Sequence, residues 1–399
     1  MPSRLIEPDA LSMMIPEIFP NRFMFLDPCL YLRRSTMRMR FLVVAIFMAL
    51  LPVAFAQNAA KPASKQAAKP ACDSECLKGY VDRYLDAMQA HDPSPKLFAK
   101  NVKFTENGVR LPFGNEGLWY DMAGRGAYKF YIPDVETQQV AFIGTILEGG
   151  SAPKAKTLAG EVAAKLAASS AKPKPAAKAA EPTTIAFALR LKIVNNLITE
   201  VEQLAIRPET SLGGGARGGG ATATTPSGTG VSVEKMGAPR KIFSEVIPEA
   251  ERASRDELIK VANYYFTGLA RNDGKGVGGT GTYPFTDDCE RIENGMVACS
   301  PTAKTNCKKQ FADGSLFNIV SRIRDRRFVA VDREHGIVFA FGFFDHEQID
   351  WTWQIAELFR IEKGKFSAIE AVFARCPYGM NSGWSTYEKS ISEDIQNIK

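Results

Sequence analysis

The segment WTWQIAELFRIEKGKFSAIEAVFAR, residues 351–375, is the stretch from which the rest of the chain can be read. Trp351, Trp353, Ile355, Glu357, Phe359 and Ile361 alternate with Thr352, Gln354, Ala356, Leu358 and Arg360, the two-residue period of a half-buried strand. Lys363-Gly364 supplies a two-residue turn, so the segment is a β-hairpin. With those two residues as the loop, Ile361 stands opposite Phe366 and Glu357 opposite Glu370. Directly opposed side chains lie about 5 Å apart at Cβ. Two carboxylates that close on an apolar, tryptophan-bearing face should raise one pKa and share a proton, which makes Glu357 and Glu370 the expected acid/base pair.

Working outward, residues 328–331 and 336–344 also have strand character. Ahead of them, Leu258, Val261, Ala262, Tyr265, Phe266 and Leu269 fall at the three-and-four spacing of an amphipathic helix. Leu77, Tyr80, Val81, Tyr84, Leu85 and Met88 spell the same helix earlier, and Leu77 to Leu258 and Tyr84 to Tyr265 are both steps of 181 residues. Glu106-Asn107-Gly108 recurs as Glu293-Asn294-Gly295 after 187 residues, and Asp134, Glu136, Val140 and Gly144 recur as Asp332, Glu334, Val338 and Gly342 after 198. Leu191, Ile193, Glu202 and Arg207 recur as Phe359, Ile361, Glu370 and Arg375 after 168. One domain is therefore present twice. The second copy has eleven extra residues after its Glu-Asn-Gly turn, where Cys299 and Cys307 sit, and the first has thirty extra in an Ala/Lys/Pro run.

This pattern predicts an α+β fold of two tandem cone-shaped domains, each an N-terminal helical part packed on a curved antiparallel sheet. The expected divisions are a leader with a signal peptide (1–56), a flexible tether (57–71), a first domain (72–209) with a disordered insertion at about 150–182, a Gly/Ala/Thr-rich linker (210–252) and a second domain (253–397). The leader shows Arg33, Arg34, Arg38 and Arg40, then an apolar core from Phe41 to Leu51, then Ala54-Phe55-Ala56 as a cleavage site. Met37 or Met39 is the expected start of translation, and the protein is expected to be exported, to the periplasm or beyond. The apolar core is too short for a comfortable span, so no stable membrane span is expected after cleavage.

Of 399 residues, 45% are hydrophobic and 10% aromatic, enough to build real cores. Removing 1–56 leaves 44 Lys/Arg against 40 Asp/Glu. The basic residues are not interleaved with aromatics, so no nucleic-acid partner is expected. Six cysteines remain after the leader, an even number that favours disulfides in an exported chain. Cys289 with Cys299 would clip a loop and Cys307 with Cys376 would tie it to the last strand, whereas Cys72 with Cys76 requires the helix to start late; connectivity stays open. His91, His335 and His346 lack ligand spacing to the cysteines, so neither metal nor cofactor is expected.

The strings VKFTENG (102–108), GLW (117–119) and ITEVE (198–202) and the acid-bearing final hairpins resemble the nuclear-transport-factor-2-like (NTF2-like, SnoaL-like) superfamily, through a family of uncharacterised secreted proteins placed in it. The resemblance covers both copies. It implies the cone fold and a pocket, and it spans isomerases, dehydratases, cyclases and non-catalytic binding proteins, among which fold does not choose.

Several residues carry a functional and a structural reading side by side. Glu357 has Leu189 at the matching position while Glu370 has Glu202, so Glu357 is the stronger functional signal, and for Glu370 the edge goes to a structural reading in which Glu202 and Glu370 accept hydrogen bonds from a loop or from Tyr84 and Tyr265 and close each cone in the same way. His346 beside Asp345 reads as an oriented general base or as part of an exposed turn. Trp351, Trp353, Phe339, Phe341 and Phe343 form an aromatic wall, either core or a pocket for a flat or apolar ligand. Glu-Asn-Gly, Asp134 and Asp332 read as turn residues. Gly276-x-Gly278-x-x-Gly281 follows a helix, not a strand, and is set aside as a dinucleotide motif. The leading expectation is proton-transfer chemistry of lyase, dehydratase or isomerase type on a small apolar or aromatic molecule. Its catalytic residues would be Glu357, Glu370, His346 and Tyr265, with Trp351, Trp353, Phe341 and Phe343 lining the pocket. Two rivals remain: a non-catalytic module for a hydrophobic ligand or an envelope protein, and a scaffold in which the two domains, or two chains as a homodimer, pack face to face.

Overall fold

A computed structural model describes residues 72–94, 96–150, 162, 165, 181–208, 228–270, 283–304, 306–312 and 320–396. The leader, the tether, most of the 150–182 insertion, linker residues 210–227 and the Gly276–Gly281 spelling lie outside the described residues. All described residues belong to one compact unit, Ala67–Lys399.

Helix α1 (Ser74–Gln89) begins where Asp73 accepts a hydrogen bond from the backbone of Cys76, and it buries Leu77, Tyr80, Val81, Tyr84, Leu85 and Met88. Six strands follow: β1 (Phe98–Glu106), β2 (Val109–Arg110), β3 (Met122–Asp134), β4 (Gln139–Glu148), β5 (Thr183–Val194) and β6 (Leu197–Ile206), with a short helix α2 (Leu118–Asp121) between β2 and β3. After α3 (Thr229–Lys235), helix α4 (Arg255–Leu269) opens on a capping box from Ser254 and Glu257 and repeats the role of α1. The second set of strands is β7 (Phe285–Glu293), β8 (Met296–Cys299), β9 (Arg322–Asp332), β10 (Ile337–His346), β11 (Trp351–Glu362) and β12 (Lys365–Pro377), with α5 (Cys307–Ala312) after β8.

The two sheets have one topology, β2-β1-β6-β5-β4-β3 and β8-β7-β12-β11-β10-β9. Two tandem α+β units are thus present, as the repeat predicts. The sheets are mixed rather than antiparallel, because the first strand of each returns to lie parallel beside the last, β1 with β6 and β7 with β12. The Asn of each Glu-Asn-Gly turn explains the recurrence of that motif. Asn107 adopts a positive φ and bonds both the N–H and the C=O of Ala205, and Asn294 does the same with Phe373, so the turn locks the parallel pair.

The sheets pack on each other. Tyr128, Phe130, Ile143, Ala186, Ala188 and Leu204 of the first share a core with Val329, Phe339, Phe341, Ala356, Leu358 and Val372 of the second. Each sheet's other face is covered by its own helix, α1 or α4. Asp134 reaches across this seam to Arg255 and to the backbone N–H of Val331, so it is a tie between halves rather than only a turn residue. Asp332 does keep the turn role, accepting from the N–H groups of Glu334 and His335.

Linker residues 228–252 are folded, contrary to expectation, because Val233, Phe243 and Ile247 are apolar anchors that bury. Glu234 of α3 accepts from the N–H of Ala127, which occupies the open edge of β3. Disulfides join Cys72 to Cys76 and Cys299 to Cys307, with Cα separations of 5.4 and 5.1 Å. The first is feasible because α1 starts at Ser74, after Cys72. Cys289 and Cys376 are free, so the expected pairs Cys289–Cys299 and Cys307–Cys376 are not formed.

Candidate functional site

The Lys363-Gly364 turn forms as read, with positive φ at both residues, and Ile361 stands opposite Phe366. One residue later the register changes. Ser367 is a bulge, its hydroxyl donating to the carbonyl of Arg360, and from there Glu357 lies opposite Ala371 and Glu370 opposite Leu358. The same bulge occurs in the first sheet, where Thr199 donates to the carbonyl of Lys192. Because side chains alternate faces, that single residue sends the two glutamates to opposite sides of the sheet. Glu357 and Glu370 do not form a pair.

Glu357 faces α4. It is 1% exposed and hydrogen-bonded to Tyr265, whose hydroxyl also accepts from Arg291 at 3.2 Å. Arg291 in turn contacts Glu293 at 3.0 Å and donates to Gln310 of α5 at 2.9 Å. Burial drives the Glu357 carboxyl upward and the Glu293 charge adds to it, so that despite Arg291 and Tyr265 its pKa is pushed up to about 8. Its second oxygen has no hydrogen-bond partner among the described residues. A carboxyl so placed is neutral at pH 7, able to donate one hydrogen bond and accept another.

Glu370 faces the seam between sheets and accepts from the hydroxyl of Tyr128 of the other half. Burial raises its pKa to about 7 against the opposing pull of Tyr128 and Arg240. Its counterpart Glu202 faces the same seam from the first sheet and receives Arg327 at 2.6 Å to each oxygen. The acid matched in both copies accepts hydrogen bonds, as its structural reading expected, but not from Tyr84 or Tyr265 and not so as to close its own domain: Tyr84 bonds Gln203, Tyr265 bonds Glu357, and Glu202 and Glu370 tie the two halves together.

His346 and Asp345 separate in the same way. Asp345 is held by Arg322, Arg324 and Thr352 and points away from His346, so it does not orient the imidazole. Neither residue is on an exposed turn, since they are 3% and 0% exposed. Burial lowers the His346 pKa to about 4, leaving a neutral ring against Trp353 at 4.2 Å. The aromatic wall also splits. Trp351 and Trp353 share the α4 side with Glu357, while Phe341 and Phe343 face the seam under the guanidinium groups of Arg327 and Arg324.

On the α4 face Glu357 and Tyr265 of the expected set meet, whereas Trp353 and His346 share that face without joining them, His346 standing opposite Trp351, six residues along β11 from Glu357. To the pair that meets, the structure adds Arg291, Glu293 and Gln310, which sequence reasoning passed over. A charged Arg291 one residue ahead of the apolar Ile292, on a strand leading into the Glu-Asn-Gly turn, was the available signal. Nε2 of His346, at the end of β10, and Nε1 of Trp351, at the start of β11, have no hydrogen-bond partner among the described residues.

Among known proteins, a family model described as a domain of unknown function (DUF8021) matches residues 251–373, which run from four residues ahead of α4 into β12. No curated protein matches the chain. Among solved structures, a de novo designed protein with a curved β-sheet is similar at 18% identity and a TM-score of 0.23, over 30% of this chain and 87% of that one.

Proposed function

We propose that the second half is the working half of an exported tandem NTF2-like protein and that it binds a small molecule on the α4 side of its sheet, against Glu357, Tyr265 and Arg291. The observation that carries this reading is Glu357. It is a fully buried carboxyl with one oxygen unpartnered, at a position where the first half has Leu189, which is equally buried. A buried polar group without its full set of partners costs stability, roughly 1–3 kcal/mol, and a leucine there satisfies the same fold. Retaining the acid makes physical sense where a ligand completes its hydrogen bonds. The leader and the two disulfides support an exported setting. Two-acid chemistry is dropped, because Glu370 lies on the other face. If the site does proton transfer, Glu357 is the single group that gives and takes the proton, with Tyr265 holding it in place.

Native mass spectrometry of the purified chain tests this, with retained ligand read as added mass. Wild-type protein is expected to carry a small molecule that Glu357→Leu releases. A carboxyl pKa near 4.5 for Glu357 by NMR, together with an unchanged bound mass in Glu357→Leu, would sink the proposal.

A further inference from the structure

Each half lays a short helix beside the tyrosine of its long helix, and the two short helices are fastened by different means. In the first half, α2 sets the Trp119 ring 5.6 Å from that of Tyr84, and Trp119 Nε1 donates to the Tyr84 hydroxyl at 3.0 Å. In the second, α5 sets the Phe311 ring 5.1 Å from that of Tyr265, which matches Tyr84 at the 181-residue step. Glu106 receives the N–H of Leu118 at the start of α2, and the far end of α2 runs straight into β3. Hydrogen bonding and a strand therefore hold α2 at both ends. The counterpart of Glu106 is Glu293, which lies against Arg291 at 3.0 Å, and α5 ends at Ala312, ten residues ahead of Arg322 and β9. What fastens the start of α5 is covalent: Cys307 is bonded to Cys299, the last residue of β8.

The side chains that α5 turns inward, Gln310 and Phe311, fall on the constellation around Glu357. Gln310 accepts from Arg291 at 2.9 Å, Arg291 reaches the Tyr265 hydroxyl, and Phe311 packs on the rings of Tyr265, Tyr283 and Phe285, each at 5.1 Å. The outer side of α5 is in water, since Lys308, Lys309 and Ala312 are exposed. Less than two turns of helix thus stand between Tyr265 and solvent on this side. Lys308 also meets Asp287, but both are exposed and such a pair holds little. Cys289, unbonded and 1% exposed, lies at the same place, its carbonyl oxygen 3.3 Å from Cys307 Sγ. Burial pushes its thiol up to about 12, so it is protonated and unreactive while α5 is seated.

We propose that α5 is the removable cover of the Glu357 site and that the Cys299–Cys307 disulfide is its latch, opened by a dithiol reductant. The dithiol gives up two electrons and two protons and closes to its own disulfide, and the Cys299–Cys307 bond becomes two thiols. Phe311 and Gln310 are then the main ties left to α5. Lifting it takes Gln310 from Arg291 and Phe311 from Tyr265 and opens a way from solvent toward Glu357. The cover rests on the ligand site placed at Glu357, Tyr265 and Arg291, whereas the latch does not.

The test is the rate at which iodoacetamide alkylates Cys289 in the mature chain, located by peptide mass mapping so that Cys376 and the other thiols are read separately. Cys289 is expected to be protected in the oxidised chain. Dithiothreitol treatment followed by desalting, or Cys299→Ala with Cys307→Ala, which spares Cys72–Cys76, should raise its rate at least tenfold while amide exchange in β10 and β11 stays as it was. An unchanged rate would overturn the latch. So would β10 and β11 opening along with Cys289, or a double variant that does not fold, because the bond would then hold the whole sheet and not its cover. Native mass spectrometry of the opened chain separates the latch from the site: loss of the retained mass is expected, and a mass kept while Cys289 is labelled would leave the latch standing but overturn α5 as the cover of the ligand.

Discussion

The two halves share a topology, a bulge and an asparagine clamp, yet they fill the space under their helices differently. In the first, Tyr84 donates to Gln203 and accepts from Trp119, Gln203 donates to Glu106, and Glu106 also accepts from the N–H of Leu118 and from Arg207. Glu106, which anchors this network, has two oxygens and both are used. In the second, Ala371 stands where Gln203 would, and Tyr265 meets Arg291 and Glu357 instead, leaving an oxygen over. Duplication explains why this is tolerable. A half whose Tyr84–Gln203–Glu106 network is fully bonded, fastened along a whole sheet to its twin, can hold up a neighbour that carries an unmatched acid at the corresponding place.

The largest effect that would break the comparison lies at the seam. Removing Arg327 strands Glu202 as an unpaired buried charge, so Arg327→Ala should cost about 3–5 kcal/mol in chemical denaturation. A loss under about 1 kcal/mol would mean that the halves do not depend on each other there.

Exchanging the diagnostic position comes next. Glu357→Leu should raise stability by about 1–3 kcal/mol, because it removes an incompletely bonded buried carboxyl, while Leu189→Glu should lower it by about 3 kcal/mol. If both changes destabilise, Glu357 is needed for folding rather than retained at its expense.

Acidity separates the halves more gently. Glu357 and Glu370 keep their protons in the folded chain up to about pH 8 and 7, whereas an unfolded glutamate loses its proton near 4.5. Between those values the folded state binds more protons, so stability falls as pH rises. His346 acts in the opposite sense, losing stability as pH falls from 6.5 to about 4. Thermal unfolding from pH 6.5 to 8 therefore isolates the glutamates, with a decline of about 1.4 kcal/mol per pH unit from Glu357. Glu357→Gln should flatten that slope, and an unchanged slope would place its source elsewhere.

The smallest expected effect tests likeness instead of difference. Asn107→Ala and Asn294→Ala each remove two hydrogen bonds to the returning strand and should cost about 1–2 kcal/mol apiece. Unequal costs would show that the clamps are alike in form only.

Much of this architecture was legible. The helices, the strands and the duplication follow from periodicity and from constant spacing, because both are set by backbone geometry shared over many residues. The glutamate pairing was not legible, because it turned on one extra residue, Ser367, and a bulge has no strong composition of its own. Its trace was nonetheless present in the hydroxyl residues Thr199 and Ser367 at matching positions. Asp345 and His346 could have been separated from sequence, since neighbours on a strand face opposite ways. The face-to-face packing also left a mark: Ile185-Ala-Phe-Ala-Leu189 is apolar at every position, as a strand buried on both faces must be.

The parallel return of β6 beside β1, and of β12 beside β7, bears on how the chain reaches this state. In each sheet the first strand finds its parallel partner only when the last strand is made, 100 residues later for Phe98 and Ile198 and 81 for Phe285 and Phe366, so this pairing is the least local contact of each half and its closure is expected to be slow. Slow, late acquisition of structure is the kinetic signature to look for. A chain cut short within β12 should leave β7 without its partner rather than yield a slightly smaller protein.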